Sequence, residues 1–195
     1  MTKKKAAFVD RDGVINDLVF NPQTKVYEAP QDPARLTIIP GVLDGLKLLA
    51  KAGYELFVVS NQPDYAKGKA TMETLQTIAS DIDMKLLAGG VKVRQYFYCY
   101  HHPEGIVKDL TGPCECRKPS PYFLLKAAKE YDLSLSDSWM IGDLDTDIEC
   151  GQSAGCKTTL LLNEQSKEKR GRSKPDWVAL TLLDAARYIT QAKEK

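Results

Sequence analysis

Nowhere does the chain carry an uninterrupted apolar run approaching the ~20 residues that a membrane span requires. The first such run, residues 6–9 (AAFV), is cut off by Asp10. Neither a membrane anchor nor an export segment is expected, and the cytoplasm is the expected compartment. A charge excess is also missing: 27 Lys and Arg face 26 Asp and Glu, a formal net charge of +1. So balanced a chain has no global attraction for nucleic acid or an anionic membrane, so neither is an expected partner, and any anionic ligand must be held by local charges. There is no internal repeat and no compositional bias. With 43% hydrophobic and 27% charged residues, 13 Gly and 10 Pro, the collagen-like, low-complexity and disordered classes are excluded. The cysteines do not make a disulfide scaffold: there are five (Cys99, Cys114, Cys116, Cys150, Cys156), an odd number better read as reduced thiols and metal ligands. A length of 195 residues is enough for a substantial core, and a monomer with one domain over residues 1–195 is expected.

What is present is an alternation of strand and helix signals. Residues 6–9, 54–60, 96–100, 139–142 and 158–162 read as short apolar strands. Between and after them, residues 41–52, 71–87, 121–131, 145–154 and 182–192 carry apolar residues at helical spacing, or a proline in the first turn. Such alternation predicts an α/β fold: a doubly wound, Rossmann-like parallel sheet with helices on both faces and a ligand crevice at the carboxyl ends of the strands. Residues 164–175, polar and mostly basic, read as a solvated loop.

The polar motifs stand where that crevice would be. After the first strand comes Asp10-Arg11-Asp12-Gly13-Val14-Ile15-Asn16, where one carboxylate can serve as nucleophile or metal ligand and the other can move protons. After the second comes Ser60-Asn61-Gln62, a hydroxyl and two amides that can donate to phosphate oxygens. After the fourth, Gly142-Asp143-Leu144-Asp145-Thr146-Asp147 brings three acids together, which calls for a cation among them, although Asp145 or Asp147 can also serve as a helix cap. Ahead of a helix, Arg117-Lys118 offers a forked and a point cation to an anion.

In this order the four motifs resemble the haloacid dehalogenase superfamily of aspartate-nucleophile phosphatases, over residues 6–162. The resemblance implies that Asp10 attacks phosphorus, that Asp12 is the general acid and base, and that Ser60 and Lys118 hold the phosphoryl group. It implies a catalytic Mg²⁺ bound by Asp10, Asp143 and the Asp12 backbone carbonyl, in line with the preference of a hard cation for oxygen. Arg11, Asn61, Gln62 and Arg117 complete the implied substrate-binding set.

Cys99 and His101, then Cys114 and Cys116 after twelve intervening residues, supply three thiolates and one imidazole, a set suited to tetrahedral Zn²⁺. Four protein ligands leave no open position, so this zinc is expected to be structural; His102 breaks the pairing and is the lesser ligand. Cys150 and Cys156 read as small buried residues. A zinc loop running straight into Cys116-Arg117-Lys118-Pro119 resembles the capless heptose 1,7-bisphosphate phosphatases and the related histidinol-phosphate phosphatases, and DRDGVIN, CYHHPEG and CECRKP are more similar to the heptose branch. The resemblance implies removal of the 7-phosphate from heptose 1,7-bisphosphate, during synthesis of nucleotide-activated heptose for lipopolysaccharide. Histidinol phosphate or another small sugar phosphate is the alternative within the same chemistry, and a non-catalytic zinc-stapled binding module the alternative from another class. Three features depart from the branch: Leu144 stands where a cation is usual, Ser60 replaces Thr, and residues 17–37 form a longer, proline-richer loop.

Overall fold

The computed structural model describes residues 3–191. Six strands form one parallel sheet: β1 (Lys5–Val9), β4 (Tyr54–Asn61), β5 (Gln95–Cys99), β6 (Trp139–Gly142), β7 (Lys157–Leu161) and β8 (Trp177–Ala179). Their spatial order is β5-β4-β1-β6-β7-β8. The four strands β1, β4, β5 and β6 alternate between two separate cores, as period-two side chains must. On β1, Ala7 and Val9 face one core while Ala6 and Phe8 face the other. The first core is closed by α1 (Val42–Lys51), α2 (Met72–Ala88) and α5 (Leu182–Gln191) through Leu46, Ile78, Ile82 and Ile189. The second is closed by α3 (Tyr122–Tyr131) and α4 (Asp145–Ala154) through Leu124, Ala127 and Cys150. The expected doubly wound sheet with helices on both faces is therefore present. Every predicted helix and strand is found with ends displaced by at most a residue or two, and residue 192 of the last predicted helix lies outside the described residues.

Three elements were not expected. Within residues 17–37, β2 (Val19–Asn21) and β3 (Val26–Glu28) pair as an antiparallel hairpin whose turn holds Lys25 at φ 58°. Most of its side chains face solvent, so no apolar pattern marks it. Strand β8 is similarly short and exposed. Residues 164–175, read as a solvated loop, begin with a 3-10 helix (Glu164–Lys169) that starts when the Asn163 side chain accepts the Gln165 N–H and that buries Ser166.

The sheet order reverses direction at β1, which is flanked by β4 and β6. Chains leaving β1 and β6 diverge to opposite faces there, and the crevice this opens is the usual ligand position in open α/β sheets.

Candidate active site and zinc loop

A cavity of about 150 Å³ lies at that switch point. Its floor is made by Asp10 from the end of β1, Ser60 and Asn61 from β4, and Asp143 and Asp147 from the β6–α4 turn, with Asp12 and Lys118 beside them. Two glycine-dependent approaches fit here. Gly13 takes φ 86°, and a Cβ there would run into the Asp143 carboxylate; a Cβ on Gly142 would strike Asp147, so glycine lets the first turn of α4 close on the strand.

Lys118 is fully buried among acids. Its Nζ lies 2.8 Å from Asp10 Oδ1 and 2.5 Å from Asp147 Oδ1, and donates to the Val59 carbonyl at 2.8 Å. Burial works against its charge, but Asp10 and Asp147 more than offset this and hold its pKa above the usual lysine value. Asn61 fixes the segment that delivers it, accepting the Lys118 N–H at 3.0 Å and donating to the Lys118 carbonyl at 3.1 Å.

One cation is too few for the acids around it. Oxygens of Asp10, Asp143 and Asp147 lie within 4.8 Å of one another, and Asp143 Oδ1 is buried without a hydrogen-bond partner. Burial, followed by the charges of Asp10 and Asp147, pushes Asp143 up to about 8. A cluster of hard oxygens with an orphaned buried acceptor is what a divalent cation such as Mg²⁺ fits. Asp147 joins Asp10 and Asp143, the two side chains expected at the metal together with the Asp12 backbone carbonyl. It does cap α4, accepting the Leu144 N–H at 3.1 Å, and it faces the cavity as well. The four-residue spacing from Asp143 around the first turn of α4 was the available signal. Asp145 instead faces away, binding the Ser173 N–H and hydroxyl.

A pH prediction follows for the metal-free protein. The raised Asp143 pKa means that the folded chain holds a proton more tightly than the unfolded one. Stability should therefore be greatest in acid and fall as pH rises from about 4 towards about 8. Thermal midpoints measured in chelator across that range should decline, Asp143→Asn should flatten the decline, and added Mg²⁺ should reverse it. A midpoint in chelator that rises from pH 5 to 8 would contradict this arrangement.

Asp12 is held by four donor contacts from three side chains. Arg11 donates from Nε and Nη2 at 3.2 and 3.0 Å, Asn16 Nδ2 donates at 3.0 Å and Gln62 Nε2 at 2.5 Å. Arg11 and Gln62 were expected at the substrate. The structure instead turns both inward: Arg11 is 1% exposed, donates also to Gln62 Oε1, and stacks toward the Tyr98 ring. A buried guanidinium needs a carboxylate and further acceptors, and Asp12 and Gln62 supply them. Neither side chain lines the cavity. Arg117 is likewise outside it, with Nη1 donating to the His101 carbonyl at 3.2 Å.

The cysteine loop gathers as expected. Ligand atoms of Cys99, His101, Cys114 and Cys116 lie within 4.8 Å of one another, with Sγ–Sγ separations from 2.9 to 3.9 Å and no disulfide. Zn–S bonds of about 2.3 Å in a tetrahedron place sulfurs roughly 3.7 Å apart, so this donor set fits Zn²⁺. His102 is excluded from the cluster, because its Nδ1 accepts the Glu104 N–H.

Residues 115–185 match the HAD-hydrolase-like family model. D-glycero-beta-D-manno-heptose-1,7-bisphosphate 7-phosphatase of Yersinia pestis is 32% identical, over 94% of each chain. The chain belongs to this phosphatase family. A further member, the D-glycero-alpha-D-manno-heptose-1,7-bisphosphate 7-phosphatase of Photorhabdus laumondii, is 34% identical over 82% of this chain and 83% of its own. Among solved structures, the D,D-heptose 1,7-bisphosphate phosphatase of B. bronchiseptica, complexed with magnesium and phosphate, superposes with a TM-score of 0.79 at 26% identity, covering 96% of this chain and 99% of that one. The enzyme is thus a phosphatase of haloacid dehalogenase type, and its cavity residues occupy the strand ends on which such chemistry depends.

Proposed function

We propose that this enzyme removes the 7-phosphate of D-glycero-D-manno-heptose 1,7-bisphosphate in the cytoplasm, as a monomer in which residues 1–195 act as one domain, with neither nucleic acid nor membrane as partner. The observation that carries the reading is the cavity itself, where Asp10, Asp12, Ser60, Lys118, Asp143 and Asp147 share one small space.

Asp10 attacks phosphorus, the bond from phosphorus to the sugar oxygen breaks, and Asp12 gives the departing oxygen its proton. Water then attacks the aspartyl-phosphate, Asp12 takes the proton back, and the bond to Asp10 breaks to release inorganic phosphate. Arg11, Asn16 and Gln62 keep Asp12 in one orientation through both steps. Lys118 offsets charge that builds on the phosphoryl oxygens, with the Ser60 hydroxyl as a further donor. When bound at Asp10, Asp143 and Asp147, Mg²⁺ supplies the positive charge that lets a phosphate dianion approach three carboxylates.

Relatives acting on both the beta and the alpha anomer share this degree of identity. The test is therefore a comparison of kcat/KM across both heptose 1,7-bisphosphate anomers, fructose 1,6-bisphosphate and histidinol phosphate. One heptose anomer should be preferred. A preference for histidinol phosphate would overturn the reading, and absence of phosphate release from every ester with Mg²⁺ present would return the chain to the class of binding modules.

A further inference from the structure

The wall of the cavity opposite Ser60 and Asn61 includes Leu18 and Ala29, Leu144 from the β6–α4 turn, and Ser166 and Lys169 from the 3-10 helix. Two cations line the cavity, and they are placed differently. Lys118 is fully buried and neutralised by Asp10 and Asp147. Lys169 is exposed, and no ion pair to it occurs among the described residues; its Nζ donates to the neutral carbonyl of Tyr27 in the hairpin. An ammonium has three donors, so two remain for a ligand. Leu144, in the same wall, contributes no charge.

How the lysine reaches the cavity is set locally. Asn163 caps the short helix and also donates to the Gly13 carbonyl at 2.9 Å, tying the segment to the nucleophile loop. Gln165 accepts the Leu18 N–H at 3.1 Å, which holds the helix against the start of the hairpin. Ser166 is buried next to Asp143, which fixes the rotation of the helix and turns Lys169 toward the hairpin edge of the cavity. A segment read from composition as a solvated loop is in this way part of the active-site wall.

We propose that Lys169 is a specificity-determining residue, contacting the anionic group of the substrate that lies away from the reacting phosphorus, and that it supplies the cation which Leu144 leaves out. This rests on the bisphosphatase reading above and names how the second phosphate is recognised. Four carboxylates line the cavity, so a second phosphate entering it meets net repulsion except beside this lysine. A monophosphate with a neutral leaving group has no use for it, and the amine of histidinol phosphate would be repelled by it.

The test compares wild type, Lys169→Gln, Lys169→Glu and Lys169→Arg on a heptose or fructose bisphosphate and on p-nitrophenyl phosphate, all with saturating Mg²⁺. Loss of one charge-assisted contact should lower kcat/KM for the bisphosphate about tenfold in the Gln variant, with a further loss in the Glu variant and recovery in the Arg variant. Values for p-nitrophenyl phosphate should stay within about twofold, and the salt sensitivity of bisphosphate turnover should weaken in the Gln variant. A purely structural role, through the bond to Tyr27, would lower both substrates together and would overturn the assignment. A wild-type preference for bisphosphate that all three variants retain would overturn Lys169 alone; a wild type with no preference for any bisphosphate would overturn the bisphosphatase reading together with it.

Discussion

Asp10→Asn is expected to lower kcat by on the order of 10⁴-fold or more, the scale on which removal of a covalent nucleophile acts, without lowering the thermal midpoint of the metal-free protein. The first half follows from the chemistry, since a carboxamide oxygen is a poor nucleophile and no other carboxylate takes its place at the end of β1. The second half follows from electrostatics. Asp10, Asp143 and Asp147 crowd within 4.8 Å with Lys118 as their one near cation, so replacing one acid by an isosteric neutral group relieves repulsion, and Lys118 keeps Asp147 as its partner. Lys118→Met is the informative contrast. It leaves the buried acids uncompensated, a change that typically costs about 3–5 kcal/mol, so this variant should lose both activity and stability. Phosphate release and thermal unfolding in chelator separate the two cases. An Asp10→Asn protein that keeps a tenth of the wild-type kcat would remove Asp10 from the role of nucleophile.

The parts of the fold legible in the sequence are those in which burial leaves a pattern. Residues 6–9 read as a strand because both faces of β1 are covered and the run ends at a carboxylate. The helix at 41–52 is legible from the helical spacing of its apolar residues, of which Val42, Leu46 and Leu49 are buried. Exposed elements leave no such pattern: β2 and β3 hold three residues each, with Phe20, Val26 and Tyr27 facing solvent, and only the loop length set that region apart. In the site, residue type foretold position best where the chemistry allows few substitutes: Asp10, Asp12, Lys118 and Asp143 all line the cavity, and the four expected zinc ligands gather in one cluster. It misled where one type serves two purposes. Arginine beside a nucleophile suggests a phosphate contact, yet Arg11 lies beneath Asp12 and orients it. Asp147 was divided between cap and ligand because each use needs the same carboxylate at the same spacing, and in the structure it caps α4 while also lying against Asp10 and Asp143. The run of lysines after β7 resembled a solvated face because nothing in its composition records the turn at Asn163 that buries Ser166.

Removing zinc should lower both stability and activity, although no zinc ligand lines the cavity. Cys99 ends β5 and is buried, whereas Cys114 and Cys116 arrive on a loop with only a three-residue 3-10 helix, Lys108–Leu110, for regular structure. Apart from its own turns, such as the His102 N–H donating to the Leu110 carbonyl at 3.0 Å, the loop is tied to the rest of the molecule by the Ile106 and Val107 N–H groups, which donate to the Ala66 carbonyl at 2.7 and 3.3 Å, and by Asn61 at Lys118. Lys118 follows Cys116 by two residues, so the position of its Nζ against Asp10 depends on where the metal holds Cys116. Structural zinc contributes on the order of 10 kcal/mol in small peptide domains, and here that energy would order the segment that delivers Lys118 to the cavity. The folded enzyme should contain about one zinc per chain. Cys114→Ser, chosen because Cys114 is less buried than Cys99, should lose that zinc, unfold at lower temperature and lose at least about tenfold in kcat, the scale of a single misplaced electrostatic contact. Chelation of wild type strips both metals, so the decisive step is re-addition: Mg²⁺ alone should leave activity low, and Zn²⁺ followed by Mg²⁺ should restore it. Full recovery with Mg²⁺ alone after metal analysis has shown zinc to be gone, or a folded and active preparation that never contained zinc, would show that the four ligands pack adequately as thiols and imidazole and that Lys118 is positioned by Asn61 without help from the metal.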